Sequence, residues 1–376
     1  MYKKFLTKKM NTMKNLKIFI LVFSTTILFY HCESNTEGLI SEPVSDPQED
    51  PVLNSNLSFE EVYTFEDDLL GGPYMGMTYS PIDNNLFISC RENKPSGTTT
   101  EEEVFKLNLD SYLLTRRNVS PGGGFITKQL TLINDTLVSI GGTEFKFYDT
   151  NFEYAGNKSY FNPNCWSSDP NCFGLSKFGV ATHNNDTYII GGEKVIPTNL
   201  TTPVDRSNTK IRILRGDITG NLFEELAIET PETMIRASGA ISNNKLYVFG
   251  GAIYDNISEG TNKIFIYPLD NSPNYEELSM TVSADITFVH KYGEIILIAG
   301  QKGLFVGEKT SFIGIFDTNT NTFEEIETNL DSEGGTKGIH QMIVKDDKII
   351  VLFGHKAGAG LPQSKWSILS ANLLDD

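Results

Sequence analysis

The chain has 376 residues, 39% hydrophobic and 21% charged, an ordinary globular composition that would fill two average domains unless one closed repeat fold takes it all. Its net charge of −17 excludes a nucleic-acid surface, which needs clustered Lys and Arg, and favours solubility. No cofactor motif or metal-ligand spacing stands out, so a monomer with neither cofactor nor metal is expected.

At the N-terminus, Lys14 to Lys17 is basic. Ile18 to Tyr30 runs apolar apart from Ser24, Thr25 and Thr26, and Cys32 precedes the polar Glu33-Ser34-Asn35. A basic start, a short apolar core and a break predict a signal peptide. The core falls short of the ~20 residues of a membrane span. Met13 would start a signal of more usual length. The Cys at the end of the core resembles the lipobox of bacterial lipoproteins, in which that Cys is lipidated and opens the mature chain. His31 stands where that family has Gly, Ala or Ser, and Phe29 where it has Leu. The resemblance implies a signal peptide over 1–32, lipidation of Cys32, and an outer-membrane lipoprotein of the cell envelope, on its periplasmic or surface side. Plain secretion and an uncleaved anchor remain alternatives. Residues 33–56, rich in Ser, Glu, Asp, Pro and Asn, predict a flexible tether.

From there one unit recurs: an apolar strand, a polar two-residue turn, a second apolar strand, and a Gly pair or small residue. Its clearest copies run from Leu130 to Gly142, Val180 to Gly192 and Ala240 to Gly251. Weaker copies have second strands at Leu86 to Cys90, Ile295 to Gly300 and Ile349 to Gly354. The Asn-Asn, Asn-Asp and Asp-Asp turns signal tight hairpins, because these residues tolerate the left-handed conformation. Third strands follow at Phe145 to Tyr148, Ile211 to Leu214, Lys263 to Tyr267 and Phe312 to Phe316. Fourth strands follow at Phe223 to Leu226, Tyr275 to Leu278 and Phe323 to Ile326. Four strands about every 50 residues is the size of a propeller blade. The last copy ends after a third strand near Trp366 to Leu369, while Ser58 to Tyr63 matches a fourth strand that lacks a blade. Pairing the two closes a ring and removes an exposed edge. The expected fold is therefore all-β, a six-bladed β-propeller over 57–376 whose N-terminal strand completes the last blade.

The Gly pairs at 141–142, 191–192 and 250–251, with a downstream Asp then aromatic as in Asp317 and Phe323, resemble kelch repeats. Three copies lack the pair, and Phe or Tyr replaces the fourth-strand Trp. No Trp-Asp pair favours a WD propeller, and a β-sandwich does not explain six copies.

In such propellers the first strand of each blade lines the channel. Counting back fourteen residues from the first Gly, or its equivalent, gives Thr127, Lys177, Arg236, Asp285 and His340. This polar ring is the candidate ligand site, with Lys177 and Arg236 at the position where kelch repeats often carry Arg. Its two readings are an anion- or polyhydroxyl-binding channel mouth and groups that only satisfy backbone carbonyls between blades. His183, His290 and His355 read as surface or satisfied histidines. Asp317 to Asn321 reads as a turn, since it lacks the Gly and Glu of a calcium loop.

Cys90 reads as a buried small hydrophobe. Cys165 and Cys172, with six residues between them that include Pro170 and Asn171, are expected to form a disulfide in an oxidising compartment, worth at most about 2–3 kcal/mol. Three insertions, Lys94 to Glu102, Tyr154 to Leu175 and Glu193 to Asn208, read as specificity loops. Tyr160, Phe161 and Trp166 in the second suit either sugar stacking or packing under the disulfide.

Two functions follow. The first is an envelope binding module for a glycan or protein partner, touching the membrane through its anchor alone. The second comes from the resemblance: some bacterial kelch propellers are sialic-acid mutarotases or epimerases. In that case Arg236 and Lys177 would clamp the sugar carboxylate, with Asp285 or His340 carrying the proton.

Overall fold

The computed structural model describes residues 53–65, 69–70, 75–92, 102–118, 129–133, 135–140, 144–159, 174–176, 178–183, 186–195, 212–217, 224–229, 234–253, 256–270, 272–303, 309–330, 337–355 and 366–374. These are strands and turns throughout, with no helix among the described residues.

The strands pair as six antiparallel blades, each named here by its strands from inside to outside. Blade 1 is Gly76–Ser80, Asn85–Glu92, Glu102–Asn108 and Leu114–Asn118. Blade 2 is Gln129–Ile133, Thr136–Ile140, Glu144–Tyr148 and Tyr154–Ser159. Blade 3 is Gly179–His183, Asp186–Ile190, Arg212–Asp217 and Glu224–Glu229. Blade 4 is Ser238–Ser242, Lys245–Phe249, Asn256–Pro268 and the first part of Glu276–Tyr292. The remainder of Glu276–Tyr292 opens blade 5, followed by Ile295–Gly303, Lys309–Asp317 and Thr322–Thr328. Blade 6 is Lys337–Lys345, Lys348–His355, Ser367–Asn372 and, from the N-terminus, Glu60–Thr64.

The second strands of blades 2, 3 and 4, such as Lys245–Phe249, bury every residue after the first. A strand packed on both faces reads as a continuous apolar run, and here the faces meet two neighbouring blades. Each of the six hydrophobic clusters is accordingly shared between adjacent blades. Phe87 meets Leu137 between blades 1 and 2, Val138 meets Ile189 between 2 and 3, and Ile190 meets Val248 between 3 and 4. Phe249 meets Ile298 between 4 and 5, Leu297 meets Val351 between 5 and 6, and Leu352 meets Ile88 between 6 and 1. The chain of shared cores returns to its start, so the ring is closed.

The turns obey the expected chemistry. Asn243, Asn244, Asp346 and Asp347 all hold positive φ, as a tight hairpin requires. One hydrogen bond recurs beside them. The amide that ends the third strand donates to a carbonyl of the hairpin turn in blades 1, 4, 5 and 6, as Leu109 to Asn84, Leu269 to Asn244, Thr318 to Glu294 and Leu373 to Asp347. Asp317 accepts from the amides of Asn319 and Thr320 at 2.7 and 3.3 Å, which makes the Asp317 to Asn321 segment a strand-connecting turn.

Three details differ from the sequence reading. Glu276–Tyr292 is one 17-residue strand, not two, because the outer edge of blade 4 runs straight into the centre of blade 5. The expected loop at Tyr154 to Leu175 begins as the outer strand of blade 2, and its end, Gly174–Ser176, pairs with Glu193–Val195 of the next insertion. Packing also starts at Leu53, within the stretch read as tether. Leu53 bridges Leu374 in blade 6, and Asn56–Leu57 adds a parallel strand to Thr322–Thr328 of blade 5.

Candidate functional site

The inner strands begin at a conformational break. Gly191, Gly192, Gly250 and Gly251 all have positive φ. A Cβ on Gly191 would lie 2.5 Å from the Met234 carbonyl, and one on Gly251 would lie 2.7 Å from the Ile235 carbonyl. The pairs therefore let the second strand turn away while the segment entering blade 4 passes close by.

Arg236 ends that entering segment with φ +60°, a left-handed conformation that an Arg rarely adopts. Asp285 and His340 sit at the equivalent breaks of blades 5 and 6. Each is the extra residue of a β-bulge, between Ala284 and Ile286 and between Ile339 and Gln341. Bulges re-aim side chains and cluster beside functional sites. All three residues are buried. An Arg236 guanidinium nitrogen lies 3.5 Å from a carboxylate oxygen of Asp285, an ion pair that joins blade 4 to blade 5. His340 instead faces its own blade. Its Nε2 lies 3.3 Å from the Gly354 carbonyl oxygen, and its ring meets Trp366 edge-on at 4.5 Å. Thr127, Lys177, Cys32, Cys165 and Cys172 lie outside the described residues, as do Tyr160, Phe161 and Trp166.

Beyond the breaks, buried polar side chains join the blades. Thr287 accepts from the Ser238 amide at 3.0 Å and donates to the Phe249 carbonyl at 2.8 Å. Gln301 donates to the Ile339 carbonyl at 2.8 Å. Gln341 donates to the Met75 carbonyl at 2.6 Å and to Gln129 at 3.4 Å. These residues satisfy carbonyls between blades, as His340 does for the Gly354 carbonyl within its own blade.

A cavity of about 470 Å³ occupies the centre, within the ~300–1,000 Å³ range of small-molecule sites. The inner strands of all six blades line it. The lining starts just past the breaks, at Ser238, Phe288 and Gln341, and runs toward the hairpin turns. Its polar wall includes Gln129, His183, His290, Lys291 and Gln341, and no Asp or Glu lines it among the described residues. Blade 4 contributes the small Ser238, Gly239 and Ala240 to the lining. Burial pushes the His290 imidazole down to about 4, so it enters neutral solution as an uncharged donor and acceptor.

The sequence reading drew its ring from the Gly pairs and so reached the breaks rather than this lining. Counted from the hairpin turns, Arg236 aligns with Ile286 and Gly338, while Asp285 and His340 are insertions. The available signal was simpler: Gln129, His183, His290, Lys291 and Gln341 each interrupt an apolar inner strand. Of these, His183 is exposed, in keeping with a surface histidine, and His290 is half-buried.

No family model and no curated protein matches the sequence. Among solved structures, the fold is similar to that of YjhT, with a TM-score of 0.53 and 12% identity, covering 82% of this chain and 97% of that one. At that identity the likeness shows the fold, an all-β propeller.

Proposed function

We propose that this chain is a cell-envelope lipoprotein, anchored through Cys32, whose propeller binds a polar or anionic ligand of the glycan class in its central cavity. One observation carries the reading. In a chain with net charge −17, the described residues of the cavity wall include an ammonium, two imidazoles, two amides and several hydroxyls, and no carboxylate. Lys291 supplies the charge, and the amides and imidazoles supply the directional hydrogen bonds that a polyhydroxylated ligand requires. Lys177 and Arg236 remain candidate charge partners in this reading, and Thr127, Asp285 and His340 remain candidate ligand-binding residues. In an oxidising envelope, Cys165 and Cys172 form a disulfide.

A second reading, an enzyme of the sialic-acid mutarotase or epimerase type, is favoured by the acid–cation pair of Arg236 and Asp285 beside a bulge. To clamp a sugar carboxylate, Arg236 must share or surrender its contact with Asp285, and buried charge pairs resist that. Binding without catalysis makes no such demand.

One experiment separates the two readings. The purified propeller is titrated with N-acetylneuraminic acid and with neutral sugars, and both line shifts and anomer exchange are followed by NMR. Shifts without faster exchange support a binding module. Faster exchange that disappears in Arg236→Ala supports the enzyme. No response to any sugar overturns both uses of the channel. For the anchor, Cys32→Ser should abolish incorporation of a labelled fatty acid.

A further inference from the structure

The large apolar side chains left exposed among the described residues are not scattered. Ile82 is 64% exposed, Tyr112 52% and Leu113 66%, and all three lie on two adjoining turns of blade 1, 81–84 and 109–113. Tyr154 and Tyr275, the other two such residues, follow the corresponding turns of blades 2 and 4. Strand direction puts all of these turns on one face of the ring.

The blade 1 turns are built rather than loose. The Asn108 side chain accepts from the amide of Ser111 at 2.9 Å and of Asp110 at 3.2 Å. It also donates to the Asp83 carbonyl at 2.9 Å, and Asn84 donates to Asp110 across the gap. This network holds Tyr112 at φ +54°, a left-handed conformation that is costly for an aromatic residue. Phe152 and Asn321 hold positive φ in the corresponding turns of blades 2 and 5, so the conformation belongs to the turn itself and fixes its shape. An exposed apolar cluster on a fixed platform is the form of an interaction anchor.

The same face is acidic. Asp83, Asp110, Asp135, Asp149 and Asp270 occupy its turns and are exposed, as is Asp346, which pairs with Lys345 at 2.7 Å; the exposed Lys291 and Lys348 only partly offset them. The surface therefore presents apolar anchors within a negative field, which selects a partner of opposite charge.

We propose that the turn face, centred on Ile82, Tyr112 and Leu113, docks a protein partner through a basic segment carrying large apolar side chains. This surface is independent of any ligand in the cavity.

The test selects a displayed random-peptide library on the intact protein and repeats the selection on an Ile82→Ser/Leu113→Ser double variant. Both residues are exposed, and unchanged thermal unfolding of the variant checks that its fold is kept. The expected peptides combine Lys or Arg with Leu, Phe or Trp. Their affinity for the double variant should fall about tenfold or more, and they should weaken as salt rises. Enrichment of neutral or acidic peptides, or equal binding to the variant, overturns the proposal. So does loss of a dimer in the double variant on gel filtration, which would make the occupant a second copy of this chain.

Discussion

At the scale of single residues, close approach between blades decides what is tolerated. A Cβ on Gly179 would lie 1.9 Å from the Ala237 carbonyl oxygen, so blade 3 touches blade 4 backbone to backbone there. Gly179→Ala should cost about 1–3 kcal/mol, as overpacking does, measured as a fall in the denaturant midpoint. The Arg236–Asp285 pair behaves differently. Removing either partner leaves a buried charge and should cost about 3–5 kcal/mol, whereas removing both should cost less than the sum. A double-mutant cycle in urea measures that coupling. His290 links stability to pH. Its folded value of about 4 lies below the ordinary 6.5, so the folded state favours the neutral ring. Its contribution is complete above pH 6.5 and is lost as pH falls from 6.5 toward 4. His290→Gln should therefore be less sensitive than the parent protein over that interval, as read from unfolding midpoints at pH 7 and pH 4.5.

At the scale of elements, the N-terminal segment acts as a strap. Asn329 accepts from the Phe59 amide at 2.8 Å and donates to its carbonyl, and Leu57 is fully buried in the core between blades 5 and 6. Glu60–Thr64 then covers the edge of Ser367–Asn372. Leu57→Ala should cost about 2–5 kcal/mol and lower the melting temperature without altering any ligand contact. This closure was legible because a strand with no blade and a blade short of a strand are both visible as repeat patterns. The fused strand Glu276–Tyr292 was not, since nothing in Ser279 to Ala284 distinguishes a bend from a continuous run. The site was legible only in part. The Gly pairs located the breaks and so found Arg236, Asp285 and His340. Residue counting cannot detect a bulge, which inserts one residue without a sequence mark. The cavity wall lies further along the strands, where Gln129 and Gln341 look like any polar interruption until six strands are brought to one axis.

At the scale of the whole molecule, six shared cores close a ring around a polar cavity, and the turn face around its mouth is acidic and studded with aromatic and aliphatic side chains. We assign the two tasks to different places: a small ligand to the centre, where no carboxylate stands among the described lining residues, and a basic partner to the turn face, where carboxylates are dense. The central claim is that the cavity is the ligand site. It is tested most directly by the imidazole resonances of His183 and His290 in the intact propeller, followed during titration with N-acetylneuraminic acid and repeated in Lys291→Gln. The account predicts saturable shifts of both resonances and an affinity reduced about tenfold or more in the variant. Saturable binding that leaves both imidazoles unmoved and is indifferent to Lys291 would contradict it.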